Sequence, residues 1–152
     1  MKKVLAILLC FVVILMPGCS KKQNSNGNKT VKSAESIQIQ DNTFITQCND
    51  IYKNPDNYKD KLIVVQGMYN EATIDGTVHH YVTRHYVPQN SSGTLASVGF
   101  EINYNGDFPS AGNWIKVYGF IEPITTNGTK SVILNVSNLD ELQEKGVEIV
   151  SN

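Results

Sequence analysis

Between residues 62 and 136 the chain is a series of short apolar or alternating segments that polar turns separate. Alternation of apolar and polar positions is typical of a half-buried β-strand, and Gly, Asn, Asp and Pro are typical of turns. The pattern is clearest over residues 98–104, where apolar side chains share one face and Glu101 and Asn103 share the other. We predict strands over residues 62–69, 77–87, 98–104, 114–121 and 132–136.

Helical spacing is confined to the two margins of this region. Apolar residues over 43–54 predict a short amphipathic helix that ends before Pro55. Cys48 lies on the apolar face of that helix, and we expect it in the core rather than as a reactive thiol. Asn138 is a candidate N-cap for a second short helix over residues 139–145.

Five strands with short connections predict a mainly β fold, a five-stranded OB-like Greek-key barrel with short flanking helices. An open β-sandwich is the alternative. Gly67 and Gly119 lie inside the first and fourth predicted strands. Glycine inside a strand indicates a bulge, a sharp bend or a close approach of two backbones.

The N-terminal segment predicts export. Lys2 and Lys3 precede an apolar run of 13 residues, which suits a signal peptide and is too short to span a bilayer comfortably. Gly18-Cys19 before a polar stretch resembles the bacterial lipobox, and the resemblance implies that Cys19 is diacylated on sulfur and that the chain is then cleaved just before it. An ordinary signal peptide and an uncleaved anchor are the alternatives.

This interpretation divides the chain into three parts. Residues 1–18 are the lipoprotein signal peptide, residues 19–40 are the lipidated cysteine with a flexible tether, and residues 41–152 are the OB-like domain. Acyl chains on Cys19 would hold the protein at the cell membrane on its extracytoplasmic face. The membrane is therefore one expected partner.

The charge of the domain argues against nucleic acid as a partner. Residues 39–152 hold 7 basic and 13 acidic side chains, a net charge of −6. Arg84 is the single arginine of the chain, whereas nucleic-acid binding depends on clustered Lys and Arg. Aromatic residues in the strands could stack on sugars instead, so we expect a protein or a glycan partner.

The chain also resembles a known family. The segments NDIYKNPDNYKDKLIVVQGMY, VGFEINYNGDFP and NWIKVYGFIE resemble small OB-fold-like lipoproteins of Gram-positive bacteria. They are similar to the C-terminal extracytoplasmic domain of a two-subunit permease family. Related members often carry a Cys-Cys pair after the second strand. Residues 86–94 (YVPQNSSGT) contain no cysteine, so a thiol-metal or redox role implied by that pair does not carry over.

Three histidines, His79, His80 and His85, are candidate metal ligands because imidazole binds metals readily. Alternation along a strand places His79 and His85 on one face, about 20 Å apart at roughly 3.3 Å per residue, and His80 on the other. One zinc ion needs Zn–N distances of about 2 Å. We therefore predict no resident metal, with these histidines as the candidates if one binds.

Arg84, Tyr86, Tyr118 and Glu101 are the candidate ligand or partner face. We expect Arg84 to pair with Glu101 across neighbouring strands or to receive an anionic ligand. The sequence contains no Gly-x-Ser-x-Gly, His-Glu-x-x-His or phosphate-loop motif, so we predict no enzymatic activity and no cofactor. The predicted function is a membrane-anchored binding or adaptor domain; the alternative is a metal-handling accessory of a transport system.

Overall fold

The computed structural model describes residues 34–89, 91–126 and 128–151. The predicted signal peptide, Cys19 and most of the predicted tether lie outside these residues. The described part contains one α-helix, α1 (Phe44–Lys53), and 3₁₀ turns at Asp41–Thr43 and Pro55–Asn57. None of its helices is long and apolar enough to cross a bilayer. The strands are β1 (Ser36–Gln38), β2 (Leu62–Ile74), β3 (Thr77–Tyr86), β4 (Ala96–Asn103), β5 (Trp114–Thr126) and β6 (Thr129–Leu142).

Strands β2 to β6 form a closed five-stranded barrel. The strand order is β1-β2-β3-β4-β6-β5, and β5 returns to pair with β2. All these pairings are antiparallel except β4–β6 and the short β1–β2 contact, which are parallel. This is the Greek-key closure of an OB-like barrel. The predicted fold is confirmed, and the open sandwich is excluded because the sheet closes.

The first barrel strand closes the sheet because it pairs with a different neighbour at each end. Residues 62–68 of β2 pair with β5, and residues 68–74 pair with β3. At the change of partner, a Cβ on Gly67 would lie 2.5 Å from the carbonyl oxygen of Thr83. Gly119 lies at a register shift between β5 and β6. Both glycines therefore have the roles expected of them, a close backbone approach and a bulge.

The barrel interior is a single apolar core that α1 helps to complete. The helix contributes Phe44, Cys48 and Ile51, each fully buried, to the same cluster as the inward residues of the strands. Burial raises the pKa of the Cys48 thiol to about 12, so this cysteine has the core position expected for it. The α-helix prediction over residues 43–54 is confirmed to within one residue at each end.

Two predicted assignments at the margins of the barrel are wrong. Residues 36–38 belong to strand β1 rather than to the tether, because Ile37 packs against the core while β1 pairs with β2. The helix predicted over residues 139–145 is absent, because β6 continues to Leu142 and pairs with β5 as far as Trp114. Long-range pairing overrides the local helix preference of the sequence LDEL at this position.

The end of α1 is fastened to the following turn by a carboxylate. Asp50 accepts a hydrogen bond from the hydroxyl of Tyr58 and another of 2.8 Å from Nδ2 of Asn54. The Tyr58 bond, and then the Asn54 bond, lower the pKa of Asp50 below its ordinary value of 3.8. A carboxyl whose pKa is lowered in the folded state stabilises that state at pH values above its ordinary pKa. The stabilisation is lost as the pH falls through the pKa of the folded state.

We expect Tyr58→Phe to lower the melting temperature at pH 7, and we expect its difference from the wild type to narrow as the pH falls below 3.8 and the carboxyl becomes protonated. Thermal unfolding followed by circular dichroism across this pH range would measure the effect. Tyr118→Phe is the matched control, because the hydroxyl of Tyr118 makes no hydrogen bond among the described residues. A constant difference at all pH values would contradict the prediction.

Candidate functional site

The outer face of β3 and β4 is the candidate functional site. Inward residues of these strands, such as Val82 and Phe100, are fully buried, whereas the alternate residues face outward. These are the second and third strands of the barrel, the strands whose face binds oligonucleotides or oligosaccharides in OB folds. The outward residues are His79, Tyr81, Thr83 and His85 on β3 and Ser97, Gly99, Glu101 and Asn103 on β4.

Glu101 is the centre of this face. Its Oε1 lies 2.7 Å from Nδ1 of His79, and both side chains are about one-quarter exposed, at 26% and 29%. The negative charge of Glu101 adds to burial in raising the pKa of Tyr81. It also contributes, after burial and Cys48, to raising the pKa of Tyr52 to about 12. The carboxylate is therefore an anionic acceptor within electrostatic reach of two tyrosine hydroxyls.

A groove of about 370 Å³ passes over this cluster. Glu101 also borders a second groove of about 320 Å³ on the β4–β6 side, so it lies where the two adjoin. The first groove is lined by Tyr52, Asn70, Glu71, Ala72, Tyr81, Thr83, His85, Ser97, Gly99 and Glu101. Aromatic edges, hydroxyls, an amide and carboxylates together suit an extended polar ligand, because they provide both contact area and hydrogen bonds.

The helix supplies Tyr52 to this face, a residue that the strand pattern alone does not identify. β4 pairs with β6 only through residues 101–103. The hydroxyl of Tyr52 donates a 2.9 Å hydrogen bond to the carbonyl of Gly99, in the part of β4 that lacks β6. Its ring stacks on Phe100 with a centroid distance of 5.6 Å. The signal in the sequence is only the helical spacing of Tyr52.

The three histidines occupy three different environments. His79 contacts Glu101 outside the barrel, whereas the ring of His80 stacks on Phe108 with centroids 3.9 Å apart. Nδ1 of His85 lies 3.3 Å from the hydroxyl of Ser97. The predicted placement of His79 and His85 on one face of the strand and of His80 on the other is confirmed. Among the described residues, no group of three or more His, Cys, Asp or Glu side chains is placed to hold one metal ion, and metal handling stays a prediction.

Arg84 does not belong to the outer face. Its side chain is 1% exposed, its Nε donates to the carbonyl of Gln66 at 2.8 Å, and its Nη1 donates to Oδ1 of Asp41 at 2.6 Å. The predicted pairing with Glu101 is therefore wrong. Arg84 shares the inward side of β3 with Val82, whereas Glu101 faces outward on β4.

The two remaining candidates are also separated from Glu101. Tyr86 is half-buried and packs against the core, on the same side of β3 as Arg84. Tyr118 lies on β5 between β2 and β6, where Nζ of Lys116 is 5.3 Å from its ring centroid. The four predicted residues do not form one surface, and only Glu101 lies on the outer face of β3 and β4.

A family model described as the DUF1980 C-terminal domain matches residues 18–147, which is most of the chain. The chain belongs to this family. Membership agrees with the resemblance to the C-terminal domain of a permease family. No curated protein matches the chain.

We expect Arg84→Met to lower the free energy of unfolding by about 2–4 kcal/mol, because the carbonyl of Gln66 loses its charged donor in a buried setting. Asp41→Asn should cost only about 1 kcal/mol or less, since Asp41 is 54% exposed. Urea denaturation of both variants would measure the difference. Equal losses would contradict the assignment of Arg84 to the barrel interior.

Proposed function

We propose that this family member is a lipid-anchored, non-enzymatic binding module on the extracytoplasmic face of the cell membrane. Its ligand surface is the outer face of β3 and β4. The observation that carries the proposal is the cluster around Glu101, because it joins a paired carboxylate, His79 and two tyrosines on the strands that OB barrels use for ligands.

Rigid strands support a recognition role for this cluster. Tyr81 and Glu101 are direct partners in the β3–β4 ladder, so their spacing is set by backbone hydrogen bonds. The bond to His79 orients the Glu101 carboxylate, and Nδ2 of Asn70 orients the Thr83 hydroxyl at 2.8 Å. Groups held in this way lose little conformational freedom when a ligand binds, which favours affinity.

The character of the surface supports a glycan or a protein as the ligand. A domain with 7 basic and 13 acidic residues is a poor match for a polyanion. A carboxylate beside tyrosine hydroxyls can instead accept hydrogen bonds from sugar hydroxyls or from the backbone amides of a partner protein. The function therefore rests on shape and hydrogen bonding more than on net charge.

We expect a photo-crosslinking amino acid at Ser97, which lines the groove, to form an adduct in cells that a larger apparent mass reveals. Ser137 is the matched control, because it is also an exposed serine on a strand and its hydroxyl donates to the carbonyl of Tyr118 on β5. Adducts at both positions, or at neither, would contradict the proposed surface.

Neutralising the central carboxylate should weaken the same adduct. We expect Glu101→Gln to reduce the Ser97 adduct about tenfold, which corresponds to the loss of one charged hydrogen bond. Glu141→Gln removes the same charge on β6, eight residues beyond Ile133, the partner of Glu101. An equal effect of both substitutions would show that net charge, rather than the Glu101 cluster, is responsible.

The anchor has a separate test. We expect Cys19→Ala to abolish labelling of the chain by radioactive palmitate and to release it from the membrane fraction, because Cys19 would be the acylated residue. Cys10→Ala, a change within the predicted signal peptide, should leave the label in place. Labelling of the Cys19→Ala variant would contradict lipidation at this residue.

A further inference from the structure

Three apolar side chains form an exposed rim at one end of the proposed ligand surface. Val87, Leu95 and Ile149 are each about half exposed, at 51%, 47% and 54%. They come from three separate segments, because residue 87 follows β3, residue 95 precedes β4 and residue 149 lies beyond the end of β6. These three residues are called the apolar rim below.

Backbone pairing places Ile149 beside the groove that contains Glu101. Ile149 forms a parallel bridge with His85, and Ser97 is the antiparallel partner of His85 on the other side. Both His85 and Ser97 line the groove of about 370 Å³. Ile149 faces outward, since the next residue, Val150, is buried in the core.

The β3–β4 register brings the other two rim residues to the same end of the surface. Tyr86, the last residue of β3, pairs with Ala96, the first residue of β4. One residue further, Val87 and Leu95 follow this pair on the two segments. Single exposed apolar residues are common on protein surfaces, but several that meet beside a groove indicate an interaction site.

The groove itself is acidic and has a free acceptor for a cation. Its carboxylates are Glu71 and Glu101, and no lysine or arginine among the described residues lines it. Oε1 of Glu101 contacts His79, whereas its Oε2 makes no hydrogen bond within the described part of the chain. A basic side chain of a partner can therefore approach Glu101 without displacing His79.

The apolar rim suits the side chains of a protein better than a sugar. Aliphatic groups offer no hydrogen bonds to sugar hydroxyls and no aromatic face for stacking. Tyr52, the exposed aromatic residue of the groove, stacks on Phe100, and its hydroxyl donates to the carbonyl of Gly99. An anionic lipid surface is also a poor match, because it attracts basic rather than acidic side chains.

We propose that the partner on this surface is a protein, which docks an aliphatic side chain on the apolar rim and a lysine or arginine at Glu101. This inference rests on the proposed function and names the class of partner for the same surface. Tyr81, the ladder partner of Glu101, lies four residues from His85 on β3, or about 13 Å at roughly 3.3 Å per residue. An extended partner segment would therefore carry its basic and aliphatic residues about four positions apart, on one face.

The photo-crosslinking amino acid at Ser97 identifies the class of partner. The adduct formed by the full chain in cells would be digested and analysed by mass spectrometry. We expect a peptide of a second protein, with a basic and an aliphatic residue about four positions apart. A glycan, a lipid or a peptide without this spacing would overturn the inference and leave a ligand on the surface. No adduct would overturn the proposed function as well.

Variants of the apolar rim test whether it makes the contact. We expect Ile149→Ser and Leu95→Ser each to reduce the Ser97 adduct about tenfold, because each removes a large apolar side chain from the interface. Phe120→Ser is the matched control, since Phe120 is also an exposed apolar residue, at 38%, but lies on β5 opposite Leu62 of β2. Circular dichroism would establish that the variants fold. An undiminished adduct in both folded rim variants, or an equal loss in Phe120→Ser, would overturn the inference.

Discussion

The fold depends on one strand that belongs to two ladders. β2 leaves β3 at the residue where it joins β5, and a side chain on Gly67 would collide with the backbone of β3 there. A sheet can close into a barrel only if its strands bend or shear in this way. The bend exposes backbone groups of β2, and the hydrogen bond from Arg84 to Gln66 satisfies one of them. The buried Arg84 therefore stabilises the bend of β2 that closes the barrel.

The inward face of β3 belongs to the core, and its outward face belongs to the proposed recognition surface. On the inward face, Val82 packs in the core and Arg84 donates to the carbonyl of Gln66. The outward residues form the surface around Glu101. A change on one face should leave the other largely intact, because alternate side chains do not share neighbours. The outward residues of β3 and β4 can thus vary without altering the contacts that close the barrel.

The local pattern of the sequence predicted much of this fold, for physical reasons that particular residues illustrate. Alternation over residues 98–104 and the glycines at 67 and 119 are local consequences of burial and bending. They could therefore be predicted without knowing which strands pair with which. β1 could not be predicted, because three residues carry too little pattern and acquire a strand conformation only by pairing with β2. The end of β6 could not be predicted for a similar reason, since pairing with β5 determines its conformation.

The candidate site was harder to predict, because it combines elements that are distant in the sequence. Glu101 was identifiable as a polar outward residue, but its partner His79 depends on the β3–β4 register. Tyr52 reaches the same surface from α1, and Asp41 reaches Arg84 from the segment before α1. Arg84 and Glu101 cannot pair because their side chains lie on opposite faces of the sheet, but this conclusion requires knowing which face of each strand is inward.

Two short segments from opposite ends of the described chain pack beside the barrel. Residues 36–38 pair with β2 as β1, residues 148–150 pair with His85 of β3, and Val150 enters the core. Val150 can take its core position only after residue 150 has left the ribosome. Contacts of such long sequence separation also form slowly. The last part of the core is therefore completed late in folding, after segments that are far apart in the sequence have met.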